Sequence, residues 1–540
     1  MKSKQIIAVM LCASFAVSSI SGCGKNTGNQ TVSGNVESGA SGQDGKTELR
    51  IHYHAENRFT IVDENAEILP VFRLAGEKTN VEVINAANPV SQNSIEEFQL
   101  QATEKFPADI YGGVNIKNSI MSYAVQGAFI PLNDLIEQNA PNIKAFLDAN
   151  PEKKAAMTAS DGNIYMLNYI PDGKTARAYF VRTDWLNKLG LEMPESFEEL
   201  EQALYAFRDQ DPNSNGVKDE VPYFNDRWQE MIRLVNLWGA RAYSYDNYNE
   251  RIPVDENGKL YHAWMTDGFK EGVENLSRWY GDGIIDPEIF TRKVDTARQT
   301  LWAKENTGGM THEWGPSTSS YNYKEELLNA FPDFKVEAML PVNKNGKPFE
   351  EHQRATVKPD GWAISVNCKN PEVAIRYMDW FYSEEGRRAI NFGIEGESYE
   401  MVDGKPEFTQ EVLSQGAVNL HLKTKYGAQV AIGYQQDYEY ERQWTVKEGQ
   451  EAYDLYANSD IWSEKWTPVL NFTEEEQAVF DQHITPLNDY QNEKITAFIT
   501  GKEDIQTGWD IYIKKCRELG ADKLVEVYQS AYDRYLQAQN

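Results

Sequence analysis

The ten residues from Asp211 to Glu220, DPNSNGVKDE, have the spacing that speaks most directly of chemistry. Asp211, Asn213 and Asn215 place a side-chain oxygen at every second position, and Gly216 lets the chain turn back sharply behind them. This is the first half of an EF-hand loop, in which the seventh residue, here Val217, offers its backbone carbonyl. The pattern departs at position twelve, where Pro222 stands in place of the bidentate glutamate. Asp219 and Glu220 are then the carboxylates left to close the shell. Three carboxylates with two amide oxygens suit Ca²⁺ over zinc. The competing reading is a solvated Asn/Gly turn, which uses the same residue types. A structural calcium, pinning the turn ahead of Val221-Pro222-Tyr223, is the expectation.

A second chemical signal lies near the start. Lys2 and Lys4 precede a mostly apolar run from Ile6 to Val17, too short to cross a bilayer but suited to the core of an export signal. Ile20-Ser21-Gly22-Cys23 then resembles the bacterial lipobox. Residues 1–22 are read as a lipoprotein signal peptide, and Cys23 as the acylated first residue of the mature chain. Residues 23–46 are rich in Gly, Ser and Asn and read as a flexible tether. The expected location is the outer face of the bacterial cytoplasmic membrane. Cys12 leaves with the signal, so Cys368 and Cys516 remain; they read as two free thiols in preference to one disulfide. Lys and Arg number 53 against 82 Asp and Glu, a net −29, which argues against nucleic acid as a partner.

The elements that must position these residues alternate. ELRIHYH (48–54), NVEVIN (80–85) and ADIYG (108–112) read as strands, and Ser94 with Glu97 reads as a capping box between the last two. The order implies a largely parallel sheet, whose ligands sit beyond the carboxyl ends of the strands. That directs attention to His54, Glu56 and Asn115. AYFVR (178–182) is a further strand, and Ser196 with Glu199 caps a helix whose Phe197, Leu200, Leu204 and Phe207 share one face. Trp362 to Val366 reads as a buried strand, and Asn370-Pro371 opens another helix. The last stretch is mainly helical, and Trp238 falls on an apolar helical stripe as core packing.

Several segments in order, FPADIYGG (106–113), GAFIPLNDLI (127–136), DGNIYML (161–167), YFVRTDWLNKLGLEMPESFEEL (179–200) and NPEVAIRYMDWFYSEEGRRAINFGIEGESY (370–399), resemble the family 1 extracellular solute-binding proteins of ABC importers. The 370–399 segment and GADKLVEVYQSAYDRY (520–535) are similar to a large-lipoprotein branch of that family. The resemblance implies an α/β, two-lobed periplasmic-binding-protein-like fold with a hinge and a helical C-terminal region. It places 47–177 plus 353–400 in the first lobe and 178–352 plus 415–540 in the second. It implies a monomer that captures a carbohydrate, typically an oligosaccharide, and delivers it to permease subunits by lobe closure. It also points to Trp314, in GGMTHEWGPS, as a sugar-stacking aromatic, and to Trp228 near a region of ligand contact.

The chain holds 13 Trp, 29 Tyr and 22 Phe, and sugar rings stack on such faces, although most of these must be core. Trp362 is open to cleft or core. Arg227 and Glu313 are the polar candidates of the second lobe, facing His54, Glu56 and Asn115 of the first. His52 and His54 share a strand face without a third metal ligand and read as one core and one cleft residue. The rival classes are a lipid-anchored glycoside hydrolase or lyase, a binder of a non-sugar solute, and a sensor partner. No Gly-x-Ser-x-Gly elbow, His-Glu-x-x-His or phosphate-binding glycine loop is present, and no catalysis is expected.

Overall fold

The structure, a computed structural model, describes residues 45–539 except 56–58, 176, 246, 295 and 464. The export signal, Cys23, nearly all of the tether, and Glu56 therefore lie outside the described residues. Two sheets, each with its own apolar core, organise the chain. Among the described residues no helix is long and apolar enough to cross a membrane.

The first sheet has the order β2-β1-β3-β9-β4. Its strands are β1 (Thr47–His54), β2 (Val81–Asn85), β3 (Ile110–Gly113), β4 (Met166–Asn168) and, much later in the chain, β9 (Gly361–Ile364). β1 pairs in parallel with β2 and with β3, which requires a crossover helix each time. The first crossover, Pro70–Thr79, starts on its proline, buries Val71, Phe72 and Ala75, and stops at Asn80 in the left-handed conformation. The second, Ser94–Thr103, corrects the expected capping box. Asn93 is the cap, accepting from the N–H groups of Ile95 and Glu96, while the Ser94 hydroxyl bonds the His54 ring. β9 runs antiparallel between β3 and β4, and only glycine fits where it begins. Gly361 has φ +145°, and a Cβ there would lie 2.1 Å from the Leu167 carbonyl oxygen.

The second sheet has the order β6-β7-β5-β8, from β5 (Arg177–Arg182), β6 (Val221–Tyr223), β7 (Gly308–Trp314) and β8 (Val336–Met339). A small hairpin, β10 (Tyr399–Val402) with β11 (Lys405–Phe408), stands apart. The helix Phe197–Asp209 carries the expected Ser196–Glu199 capping box and buries Phe197, Leu200, Leu204 and Phe207. Trp185, Trp238, Trp264 and Trp279 fill the second core together with Leu487, Phe498, Tyr512 and Tyr528 from the C-terminal helices Glu474–Ile499, Ile505–Glu518 and Ala521–Ala538.

The core of the first sheet takes in Val412, Leu422, Tyr426, Tyr434 and Tyr440. Within the segment 415–540 expected in the second lobe, Leu422, Tyr426, Tyr434 and Tyr440 instead pack in the core of the first sheet, together with helix Pro371–Trp380. Ala452, Tyr456 and Ile461 then pack on Phe180, Phe224 and Trp302 beside the second sheet. Cys368 and Cys516 are both free and buried, one in each core.

Candidate functional site

A cavity of about 600 Å³ opens where the ends of the first sheet meet loops of the second lobe. Asn115 and Lys117, just after β3, and Pro359 and Asp360, just before β9, form one wall. Tyr245, Tyr248 and Glu250 form the other, with Leu470, Phe472 and Tyr528. This is the position that an open α/β sheet reserves for ligands, beyond strand ends. Both walls turn through positive φ, at Asn115 (55°), where asparagine tolerates it, and at Tyr245 (32°), where a bulky residue holds it only when its surroundings enforce it. The Asn115 N–H donates to Asp360 Oδ1 at 2.8 Å, which ties the β3 turn to the strand β9 entry. Phenol rings and amides facing one polar-lined space are suited to the C–H faces and hydroxyls of a sugar.

Behind the Tyr248 wall lies a buried ion network. The Tyr248 hydroxyl donates to Glu230 Oε1 at 2.5 Å. Glu230, fully buried, also meets Arg233 Nε at 3.3 Å, Arg177 Nε at 3.7 Å, His312 Nδ1 at 2.9 Å and His352 Nδ1 at 3.1 Å. Beyond it, Arg177 holds Glu313 at 2.7 Å, Arg233 holds Glu351 at 3.2 Å, and His312 Nε2 faces Glu350 at 3.2 Å. Burial alone would raise the Glu230 carboxyl, but Arg177, His352, Arg233 and His312 outweigh it and hold it well below the usual range. Burial likewise works against a charge on His312, yet Glu350 and Glu230 raise it to about 9. His352 goes the other way: burial takes it down to about 4, so it is neutral at pH 7. Glu230, His312 and His352 bring three metal-type ligand atoms within 4.8 Å of one another. Glu230 and His312 are already engaged by guanidinium, phenol and carboxylate partners, whereas neither ring nitrogen of His352 makes a hydrogen bond among the described residues, so the cluster reads first as an ion-paired core of the lobe.

The Asp211–Glu220 loop joins the helix Phe197–Asp209 to β6. Asp211 Oδ1 and Oδ2 accept the N–H groups of Asn215 and Gly216, each at 3.0 Å, and the amides of Asn213 and Asn215 point at Asp219. Asp211, Ser214 and Gly216 all take positive φ, so the chain curls around its own side-chain oxygens. The Glu220 carboxylate is the telling member. It is buried, and neither oxygen has a hydrogen-bond partner among the described residues. Burial pushes its carboxyl up, Asp211 and Asp219 add to the push, and the backbone N–H groups nearby oppose it. An orphaned buried carboxylate beside two others fits a bound hard cation.

Of the expected ligand residues, Asn115 lines the cavity. Glu313 and Trp314, at the end of β7, border the ion network: Glu313 is clamped by Arg177, whose guanidinium lies 5.4 Å from the half-buried Trp314 ring centre. Arg227 and Trp228 start the helix Trp228–Ile232, and Trp228 leans on Phe290 at the edge of the second core. Two expectations are corrected. Trp362 is fully buried between Tyr377 and Phe381, because its β9 side chain points into the first core. His54 is 1 % exposed, with its ring nitrogens on the Ser94 hydroxyl and the Ser91 carbonyl, so it belongs to the lobe interior. His52 is buried too, stacked on Tyr111 and 3.5 Å from Glu97, so neither histidine of that pair faces the cavity. Lys117, Arg177, Glu230, Tyr248 and His352 were not anticipated. They come from separate stretches with no shared motif, and only the pairing of β5 with β7 and the return to β9 unite them.

A profile of the bacterial extracellular solute-binding proteins matches residues 73–388. The chain is 27% identical over 441 residues to the fructooligosaccharide ABC transporter substrate-binding protein FusA of Streptococcus pneumoniae, covering 77% of this chain and 78% of that one. It is 22% identical over 410 residues to the lipoprotein LipO of Bacillus subtilis, covering 73% and 77%. Among solved structures, the alginate-binding protein AlgQ2 without calcium ion superposes with a TM-score of 0.75 at 39% identity, covering 92% of this chain and 100% of that one.

Proposed function

The chain belongs to the bacterial extracellular solute-binding proteins, and from that premise we propose that it captures an oligosaccharide between its lobes and delivers it to the permease of an ABC importer. The observation that carries this reading is the cavity between β3–β9 turns and the Tyr245–Glu250 loop, walled by phenols, amides and a few charges. Ligand contacts on both walls favour the closed form, and a permease reads that form. The relatives named for fructooligosaccharide and alginate support a glycan as cargo. Asn115 and Tyr248 are the contacts we assign to the cavity, with Trp314 and Glu313 as a rim beyond Tyr248. Arg227 stays a candidate at the start of its helix, and Glu56 a candidate outside the described residues. The protein acts as a monomer and binds without cleaving.

Cys23 anchors the chain through lipid at the outer face of the membrane, in keeping with a lipoprotein relative. Calcium occupies the 211–220 loop, with Asp211, Asn213, Asn215, Asp219 and Glu220 as oxygen donors and the Val217 carbonyl completing the set. Its part is structural: it offsets the buried Glu220 charge and stiffens the entry to β6.

The deciding experiment is a thermal-shift screen of the protein against glycan families, with products followed by chromatography. A rise in Tm with one family and no products supports capture. Appearance of cleaved glycan makes the protein an enzyme, and no shift with any glycan moves the cargo to a non-sugar solute. Cys23→Ala should release the protein from the cell surface into the medium; retention on the membrane removes the lipid anchor from the reading.

A further inference from the structure

The cavity holds one charge that its surroundings do not balance. Lys117 opens the eight-residue helix Lys117–Ala124, lines the cavity and is 6 % exposed. Among the described residues its Nζ makes a single hydrogen bond, a long one of 3.4 Å to the Leu470 carbonyl across the cavity. Among the described residues no carboxylate lies within ion-pair distance of it, and two of its three N–H bonds go unfilled. Burial lowers it to about 8, partly offset by Glu250, so the ammonium is still mostly charged at neutral pH.

The carboxylates that share the cavity are engaged on their own side. Glu250 Oε1 accepts from Asn247 Nδ2 at 2.6 Å and from the Tyr245 hydroxyl at 3.3 Å, and Asp360 Oδ1 accepts the Asn115 N–H. The other lysine of the lining, Lys358, sits in the loop that leads through Asp360 into β9. Lys117 therefore presents open donors and a positive charge with no carboxylate in ion-pair contact among the described residues, whereas each acid of the lining already accepts from a neighbour. A sugar hydroxyl would fill the donors and leave the charge; a carboxylate fills the donors and neutralises the charge together.

We infer that Lys117 reads a carboxylate of the cargo, so that the cleft selects acidic, uronate-bearing oligosaccharides over neutral ones. The inference rests on the oligosaccharide reading above and names its chemical class. Because Lys117 belongs to the first lobe and its present partner Leu470 to the second, an anion bound there sits at the seam that closes. The net charge of −29 does not oppose it, since exposed charges are screened within about 10 Å at ordinary salt, whereas a buried ammonium is screened far less.

The test is calorimetric titration of the full-length protein with tri- and tetrasaccharides of galacturonate and of mannuronate. Each is compared with its carboxyl-reduced counterpart, in which every carboxylate is a hydroxymethyl group. Wild type should favour one carboxylate form over its reduced partner by about tenfold or more, as expected for charge-assisted hydrogen bonds. Lys117→Met should bring that ratio to within about threefold, and Lys117→Arg, which keeps the charge, should retain most of it. If Lys117→Met does not fold, the wild-type ratio and the Lys117→Arg ratio decide. Equal affinity of wild type for both members of each pair, or a preference that survives in Lys117→Met, overturns the inference and leaves the oligosaccharide reading standing. Failure to bind these sugars or a panel of neutral oligosaccharides overturns both.

Discussion

Two acidic regions of the second lobe solve the same problem in opposite ways. The loop 211–220 gathers three carboxylates within ten consecutive residues, largely in solvent, and leaves Glu220 buried without a partner. The network around Glu230 gathers its carboxylates from 230, 313, 350 and 351 in the interior, and supplies Arg177, Arg233 and a protonated His312 from the protein itself. The first region leaves a buried carboxylate without a partner among the described residues; the second carries its own cations. The difference teaches that density of acid in a sequence marks a place that imports charge, while acid scattered through a sequence can be neutralised only by the fold.

The largest expected effect breaks the self-sufficient region. Glu230→Gln removes the one carboxylate that Arg177, Arg233, His312 and the Tyr248 hydroxyl share, and should cost about 3–5 kcal/mol in denaturant unfolding. An effect below about 1 kcal/mol would mean that Glu313, Glu350 and Glu351 already suffice. Next comes pH. His312 is held at about 9 against an ordinary 6.5, so its contribution is full below pH 6.5 and fades as pH rises through 9. That contribution is about 3 kcal/mol from the size of the shift. The stability gap between wild type and His312→Gln should thus be wide at pH 6 and narrow at pH 10; a gap that does not change with pH removes the imidazolium from the network.

The loop responds more mildly. Calcium at about a hundred times its Kd should stabilise wild type by roughly 2.7 kcal/mol and leave Asp211→Ala/Asp219→Ala unmoved. In calcium-free buffer Glu220→Gln should match or exceed wild type in Tm, because it removes the unpaired buried charge. A calcium response preserved in the double variant would relocate the ion. The smallest effect belongs to the most local feature: Ser196→Ala, which undoes one capping box, should cost about 1 kcal/mol.

That ranking parallels what could be read from the chain. The Ser196–Glu199 box, the strands near 48, 80, 108 and 178 and the donor loop are written in short windows, and the structure carries each within a residue or two. Where two windows compete, reading faltered. Asn93 displaced Ser94 as a cap because its side chain reaches two N–H groups from one position earlier, freeing Ser94 for His54. The cavity was half legible: strand ends pointed to Asn115, but Lys117 carries no pattern, and its role arises from a carbonyl more than three hundred residues away at Leu470. Trp362 and His54 went astray for a shared reason. A strand's alternation says that two faces exist and is silent on which one meets the core.

The place of β9 has a consequence for how this protein is made. The first sheet has its β9 seat, between β3 and β4, filled only when residues 361–364 arrive, and its core is closed only by residues up to Tyr440. A chain delivered N-terminus first must therefore hold β3 and β4 without their shared neighbour while all four strands of the second sheet are emitted. Assembly order is thus uncoupled from sequence order, and long-range closure of this kind slows folding and prolongs the exposure of β3 and β4. The lobe that begins the protein is among the last parts of it to be finished.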